Sequence, residues 1–175
     1  MKKRIIFFDA DGTIWHPKKT KYKKHPVWIY LDKRVKNPRD HLILTPSALQ
    51  TLTRLKKLGL LTVILSTSPR KQKEADARLN DKIKHFKLDK LITEFHATPA
   101  KGANKSKGRN IVRILKRRNL SKSSALMVGD SYEWDFEPAN RHGIDALLIE
   151  SDYEPMKTKL KRTIKKLSDI FAYLS

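Results

Sequence analysis

The sequence contains no cysteine in its 175 residues, and it has no long uninterrupted apolar run. The first absence excludes disulfide bonds and thiolate metal ligands. The second excludes a transmembrane helix, and the apolar run near the N-terminus is too short for a signal peptide. We therefore expect a soluble cytoplasmic protein with no membrane partner. A chain of this length can bury one sizeable core, which predicts a single domain over 1–175.

Acidic residues are also scarce, since 18 Asp and Glu stand against 39 Lys and Arg and give a net charge of +21. Only six of the acids are Glu, whereas ion-pair networks need both signs in similar number. Nine of the Lys and Arg residues lie within 16–41, interleaved with Tyr22, Trp28 and Tyr30. This mixture favours binding of a polyanion such as nucleic acid. The oligomeric state is left undetermined.

Two carboxylates follow a short apolar run close to the N-terminus. Ile5, Ile6, Phe7 and Phe8 do not alternate with polar residues, which predicts a strand covered on both faces in a parallel sheet. Asp9-Ala10-Asp11-Gly12-Thr13 comes next, and Gly12 lets the backbone turn away from the strand. By itself, Asp-x-Asp-Gly is equally compatible with a polar turn that has no catalytic role.

The same arrangement occurs about 120 residues later. The run Ala125–Val128 leads into Gly129-Asp130-Ser131 and then Asp135. Two acidic turns, each after a predicted parallel strand, are best explained by one shared site at the carboxyl edge of a sheet. Trp134 lies inside this second motif, and we interpret it as a packing residue. The six histidines show no zinc-like spacing, and we assign them no role.

Four motifs in this order resemble those of the haloacid dehalogenase superfamily. The first is Asp9-Ala10-Asp11-Gly12-Thr13 and the fourth is Gly129–Asp135. The second is Ser66, at the end of the apolar run Leu61–Leu65, and the third is Lys107, which precedes apolar residues at helical spacing. The resemblance extends to the small magnesium-dependent phosphatases of the superfamily, through Trp15-His16-Pro17 after the first motif.

The resemblance implies a catalytic centre built on carboxylates. Asp9 would attack phosphorus and carry an aspartyl-phosphate, and Asp11 would act as the acid and then the base. Mg²⁺ would be held by Asp9, Asp130 and the backbone carbonyl of Asp11, with Asp135 as a more distant or occasional ligand. Because a halide leaving group needs no acid, Asp11 favours hydrolysis of phosphate esters over dehalogenation. The lack of a long apolar segment excludes the transport-ATPase branch.

The resemblance also implies which residues bind the phosphoryl group. Lys107 would supply positive charge, while Ser66, Thr67 and the loop backbone at Gly12 would donate hydrogen bonds. Two further lysines lie close enough along the chain to compete with Lys107 for its role: Lys101 and Lys105.

The fold implied is a three-layer α/β/α Rossmann-like fold with a mostly parallel sheet and no large cap domain. We expect a flap or loop insertion over about 14–45, because the interval is too short for a folded cap. Thr45 reads as the N-cap of a helix with Pro46 in its first position. Apolar residues recur at helical spacing toward the C-terminus and predict a helix over 155–174.

Three functions remain open from the sequence. The first is a Mg²⁺-dependent phosphohydrolase that acts on phosphate monoesters. The second is a phosphatase that acts on nucleic-acid or nucleotide phosphate ends. The third is a non-catalytic nucleic-acid-binding protein that keeps the same fold, although such a protein has no need of the carboxylates.

Overall fold

The structure is a computed structural model, which describes residues 2–99, 106–156 and 159–175. Its main sheet has six strands in the order β5-β4-β1-β6-β7-β8, and every neighbouring pair is parallel. These strands are β1 Ile5–Phe8, β4 Leu61–Ser68, β5 Glu94–Pro99, β6 Ala125–Gly129, β7 Asp145–Ile149 and β8 Thr163–Ile164. The α-helices are α1 Val27–Leu31, α2 Ala48–Lys57, α3 Gln72–His85, α4 Lys107–Arg117 and α5 Glu137–Arg141.

Helices cover both faces of the sheet, so the fold has three layers. Ile6 and Phe8 of β1 belong to an apolar cluster that includes residues of α2 and α3. Ile5 and Phe7 point to the other face, into a cluster that includes residues of α4 and α5. All four side chains are fully buried, as their unalternating apolar pattern predicts. The α/β/α fold with a parallel sheet is therefore confirmed.

The interval between β1 and α2 contains a small two-stranded ribbon rather than a separate domain. Strands β2 Trp15–Pro17 and β3 Leu42–Leu44 pair antiparallel and enclose α1. Short 3₁₀ turns at Lys21–Lys23 and Pro38–His41 connect these elements. Within the described residues, no large cap domain covers the carboxyl edge of the sheet. The ribbon and its connecting segments therefore control access to that edge.

The first turn of α2 differs from the sequence prediction. The helix begins at Ala48, and Ser47 precedes it in a left-handed conformation with φ of 65°. Thr45 is not the cap, because Pro46 and Ser47 separate it from Ala48, and its backbone N–H donates to the carbonyl of Ile14.

The predicted helix over 155–174 is wrong. Instead, β8 pairs with β7, and a 3₁₀ helix spans Leu167–Tyr173. Strand β8 covers the edge that β7 would otherwise expose, and its Ile164 reaches the core. Leu167 and Ile170 are buried at a spacing of three residues, which a 3₁₀ helix places on one side as readily as an α-helix does.

None of the helices in the described ranges is both long and apolar enough to cross a membrane.

Candidate active site

The two acidic loops meet at the carboxyl edge of the sheet. Strands β1 and β6 are parallel neighbours, with Phe8 opposite Val128, so Asp9 and Asp130 leave the sheet side by side. The backbone N–H of Asp9 donates to the carbonyl of Val128 at 2.9 Å and fixes this register. The order of strands reverses around β1, which is where ligands bind in open α/β sheets.

Asp135 joins the other two acids through a single π-helical turn, Tyr132–Phe136, that follows β6. One carboxylate oxygen from each of Asp9, Asp130 and Asp135 lies within 4.8 Å of the others, and all three residues are buried. Asp135 also accepts a hydrogen bond from the backbone N–H of Ser131 at 3.1 Å, which anchors the turn. The structure thus brings together the three carboxylates that the sequence selects.

Close backbone approach at two glycines makes this convergence possible. Gly12 has φ of +92°, and a Cβ there would overlap the carboxylate of Asp130 and the hydroxyl of Tyr153. A Cβ at Gly129 would overlap the carboxylate of Asp135. Larger residues at either position would therefore push the acidic side chains apart.

Lys107 is the cation of the cluster. It is the first residue of α4, it is only 1 % exposed, and its Nζ donates to Asp135 at 2.5 Å and to Asp9. Burial alone would lower the pKa of Lys107, but the charges of Asp135 and Asp9 outweigh it and raise that pKa above its ordinary value. The competing candidates Lys101 and Lys105 lie outside the described residues.

The charges in the cluster do not balance, because three buried carboxylates face one buried ammonium group. Burial, together with the charges of Asp135 and Asp130, raises the pKa of Asp9 well above its ordinary value despite the opposing effect of Lys107. Burial and the charge of Asp135 raise the pKa of Asp130 to about 7. A hard divalent cation prefers such an all-oxygen donor set and would neutralise the excess charge, so the residues present fit a metal of the Mg²⁺ type.

Asp11 lies outside this carboxylate cluster, in a hydrogen-bond network of its own. Its Oδ1 accepts from Trp15 Nε1 and Tyr30 Oη, both at 2.6 Å, and from Lys82 Nζ at 3.1 Å. Lys82 also lies 3.2 Å from Oδ2 and donates to the Tyr30 hydroxyl at 2.9 Å. Burial alone would raise the pKa of Asp11, but the charge of Lys82 and these hydrogen bonds lower it.

Sequence reasoning missed this network. Trp15 stands four residues after Asp11, and it served only as a mark of family resemblance. Lys82 comes from α3, 71 residues along the chain, and no pattern in the sequence associates it with Asp11. Tyr30 comes from α1, where it appeared only as one aromatic residue in a basic segment.

Two further contacts hold Asp130. The Tyr153 hydroxyl donates to its Oδ2 at 2.5 Å, and the Thr13 hydroxyl lies 3.4 Å from its Oδ1. His25 was assigned no role, yet its Nε2 lies 3.9 Å from the same Oδ2 and its ring meets Tyr153 edge to face. The segment before α1 is thereby placed beside the carboxylate cluster.

Ser66 and Thr67, near the carboxyl end of β4, line the same cleft as the acids. Ser66 is 7 % exposed. The Thr67 hydroxyl is buried and has no hydrogen-bond partner in the described part of the chain. Since buried hydroxyl groups are normally paired, it is a donor with unused capacity at this edge.

The cleft that contains these groups has a volume of about 800 Å³. The carboxylate cluster and Lys107 line it, and so do residues of α1 and α3. Trp134 also lines the cleft and is 36 % exposed, so the interpretation of this residue as a packing residue is wrong. The π-helical turn directs the indole outward while it buries Asp135.

Solved structures from several bacteria share this fold across the whole chain. A protein from Clostridium difficile that is provisionally named a phosphatase is 18 % identical, with a TM-score of 0.73 and full coverage of both chains. A haloacid dehalogenase-like hydrolase from Streptococcus pneumoniae is 17 % identical over 99 % of each chain, with a TM-score of 0.71. A hydrolase of this type from Bacillus subtilis, bound to magnesium, is 14 % identical over 100 % of each chain, with a TM-score of 0.70. At these identities the likeness establishes the fold.

No curated protein matches the chain. A family model described as haloacid dehalogenase-like hydrolase matches residues 17–143. The matched span includes Ser66, Lys107, Asp130 and Asp135, and it begins after the loop of Asp9 and Asp11. More than half of the chain is covered, and the chain therefore belongs to the haloacid dehalogenase-like hydrolases.

Proposed function

We propose that this protein is a Mg²⁺-dependent phosphohydrolase that cleaves phosphate monoesters through a phosphoryl group carried on Asp9. The observation that supports this most strongly is the position of Asp9. It lies at the carboxyl end of β1, with Lys107 against its carboxylate and Asp130 and Asp135 beside it. A nucleophilic carboxylate and a fixed cation thus occupy one cleft that a ligand can enter.

In the first step, a carboxylate oxygen of Asp9 forms a bond to phosphorus, and the bond between phosphorus and the ester oxygen breaks. Asp11, which takes up a proton from solvent when the substrate binds, gives that proton to the departing oxygen, which leaves as an alcohol. In the second step, water attacks phosphorus and gives a proton to Asp11. The bond between phosphorus and Asp9 breaks, inorganic phosphate leaves, and both carboxyl groups return to their starting states.

The contacts of Asp11 support its part in the second step, because Lys82 and the hydrogen bonds to Oδ1 favour the ionised carboxylate that accepts a proton from water. Its Oδ1 already accepts three hydrogen bonds, whereas Oδ2 has only Lys82 as a partner among the described residues. Oδ2 is therefore the oxygen that can exchange a proton with the leaving group or with water. A catalyst of carbon–halogen cleavage would not need this group, which favours phosphate esters as substrates.

Charge compensation for the phosphoryl group would come from Lys107 and from Mg²⁺ held by Asp9, Asp130, the backbone carbonyl of Asp11 and, directly or through water, Asp135. When bound, Mg²⁺ supplies Lewis-acid stabilisation of the negative charge on phosphoryl oxygens. Ser66, Thr67 and the backbone at Gly12 would donate hydrogen bonds to the same oxygens. The unused hydroxyl of Thr67 supports this assignment.

The direct test is release of inorganic phosphate from p-nitrophenyl phosphate, with and without Mg²⁺. We expect Mg²⁺-dependent turnover by the natural sequence and a loss of several orders of magnitude in Asp9→Asn. Asp89→Asn removes the same charge from an exposed position outside the cleft and should keep the activity. Turnover by Asp9→Asn at the natural rate would refute the assignment of the nucleophile.

The net charge of +21 supports a second candidate, a nucleic-acid-binding protein that does not turn over a substrate. Five carboxylates line the cleft and weigh against it, because Asp9, Asp11, Asp130, Asp135 and Glu154 would repel a polyanion. Tight binding of an oligonucleotide, without phosphate release from any ester, would favour this candidate over the hydrolase.

A further inference from the structure

Exposed apolar side chains line the same cleft as the carboxylates. Six large hydrophobic residues of the described chain are exposed, and three of them line this cleft. These are Val27 and Leu31 of α1, which are 46 % and 73 % exposed, and Trp134, which is 36 % exposed. Exposed apolar side chains gathered at one cleft indicate a surface that binds a ligand.

Cations lie along the same cleft. Arg70 and Arg78 both line it, and both pair with the single carboxylate of Glu74, at 2.7 Å and 3.1 Å. Two guanidinium groups against one carboxylate leave one positive charge in excess. Both arginines are partly exposed and therefore accessible to a further anion.

More cations flank the residues that line the cleft. Four exposed lysines have no carboxylate within ion-pair distance among the described residues: Lys23, Lys24, Lys71 and Lys73. Lys23 and Lys24 directly precede His25 in the sequence, and Lys71 and Lys73 follow Arg70. His25 and Arg70 line the cleft. The local charge therefore remains positive outside the carboxylate cluster.

We propose that the substrate is the phosphorylated end of a single-stranded nucleic acid. The terminal phosphate reaches Asp9, a terminal base packs against the apolar surface at Trp134, Val27 and Leu31, and a backbone phosphate is bound by Arg70 and Arg78. Hydrolysis breaks the terminal phosphorus–oxygen ester bond with water and leaves a hydroxyl end and inorganic phosphate. This inference rests on the phosphohydrolase function proposed above.

Both features of the surface fit this ligand better than they fit a small ester. A small phosphate monoester bound at Asp9 needs neither an exposed apolar surface nor the excess charge of Arg70 and Arg78. A nucleic acid offers flat bases that stack on aromatic rings and a negative charge at each nucleotide. The net charge of +21 would attract such a polyanion along its length.

The first test compares kcat/KM for three substrates in Mg²⁺: p-nitrophenyl phosphate, a phosphotyrosine peptide, and a short single-stranded oligonucleotide phosphorylated at its 5′ or 3′ end. We expect the oligonucleotide to be preferred over p-nitrophenyl phosphate by about 100-fold or more at low salt. The one backbone phosphate bound by Arg70 and Arg78 should contribute roughly −0.7 to the slope of log(kcat/KM) against log[salt]. The small ester should show almost no slope.

The second test uses variants with matched charge. In Arg70→Gln/Arg78→Gln, we expect the ratio of oligonucleotide to small-ester kcat/KM to fall about tenfold or more, with a shallower salt slope. The control Lys84→Gln/Lys116→Gln removes two exposed charges outside the cleft and should change the ratio less than about twofold. Trp134→Ala should lower the ratio by roughly 5-fold to 100-fold, as expected for loss of one stacked base.

The outcomes separate this inference from the proposed function. Turnover of p-nitrophenyl phosphate without preference for the oligonucleotide, or with preference for the phosphopeptide, overturns the nucleic-acid substrate and leaves the phosphohydrolase intact. An equal effect of both double variants on the ratio also overturns it, because general charge would then explain the preference. No turnover of any substrate overturns both proposals.

Discussion

Replacing Lys107 by Met would remove the only ammonium group that contacts Asp9 and Asp135 in the described structure. Lys107 is 1 % exposed and both carboxylates are buried, so water cannot replace the lost charge. Removal of one partner from a buried ion pair typically costs about 3–5 kcal/mol. For a chain of this size, each kcal/mol lowers the melting temperature by roughly 2–4 °C, which gives a decrease of about 6–20 °C.

The assay is thermal unfolding followed by circular dichroism, first in EDTA and then with Mg²⁺. The control is Lys116→Met, the same substitution at an exposed position near the end of the same helix, which we expect to change the melting temperature little. Mg²⁺ at about 100 times its Kd stabilises a protein by roughly 2.7 kcal/mol. Because Lys107→Met leaves the carboxylates without a cation, the rise in melting temperature with Mg²⁺ should be larger in this variant than in the natural sequence.

Equal melting temperatures for Lys107→Met and the natural sequence in EDTA would refute this reasoning. That result would mean that Lys107 does not compensate buried charge in the cluster. A decrease that Mg²⁺ fails to reduce would point to a packing defect at the start of α4 and would contradict the electrostatic explanation.

Two further predictions concern neighbouring groups. Lys82→Met removes the charge that orients Asp11, and we expect kcat to fall about tenfold or more with little change in KM. Lys82→Arg should keep part of the activity. Steady-state kinetics measures kcat and KM for each variant. The pKa of Asp130 is raised to about 7 from an ordinary value of 3.8, so this group stabilises the metal-free fold below about pH 4 and loses that contribution as pH rises toward 7. In EDTA at about pH 8, Asp130→Asn should therefore have a higher melting temperature than the natural sequence, and its free energy of unfolding should be larger by up to about 4 kcal/mol. The two proteins should have the same stability near pH 4. A lower melting temperature for Asp130→Asn in EDTA at about pH 8 would contradict this.

The parts of the fold that the sequence predicted are those that depend on local patterns. The unalternating apolar run before Asp9 predicts a strand buried on both faces, and the apolar run before Asp130 predicts a second strand of the same kind. Parallel neighbours then place the two acids together, as observed for β1 and β6. Lys107 was predicted from its register with the apolar residues of α4, and the structure places it against Asp9 and Asp135.

The network of Asp11 could not be predicted in the same way. It depends on how α3 and α1 pack beside the first loop, which brings Lys82 and Tyr30 to one carboxylate. In a chain with 39 Lys and Arg residues, one particular lysine carries no recognisable signal. Tertiary packing alone distinguishes Lys82 from the exposed lysines around it.

The C-terminal segment was mispredicted for a related reason. Apolar residues from Met156 to Leu174 are compatible with a helical period, but the free edge of β7 provides a competing partner for the backbone. Pairing of Thr163 and Ile164 with that edge removes them from any helix, and a 3₁₀ helix forms over Leu167–Tyr173. The interaction that decides between the two is non-local, so the period of the sequence does not reveal it.

The most direct measurement is acid quenching of Asp11→Asn during reaction with p-nitrophenyl phosphate in Mg²⁺, followed by mass spectrometry of the peptide that contains Asp9. Because the variant lacks the base that activates water, we expect the phosphorylated form to accumulate, with the phosphoryl group on Asp9. Asp9→Asn/Asp11→Asn should carry none. Turnover of the natural sequence without a phosphoryl group on Asp9 in either enzyme, or with the group on another residue, would contradict the proposed reaction.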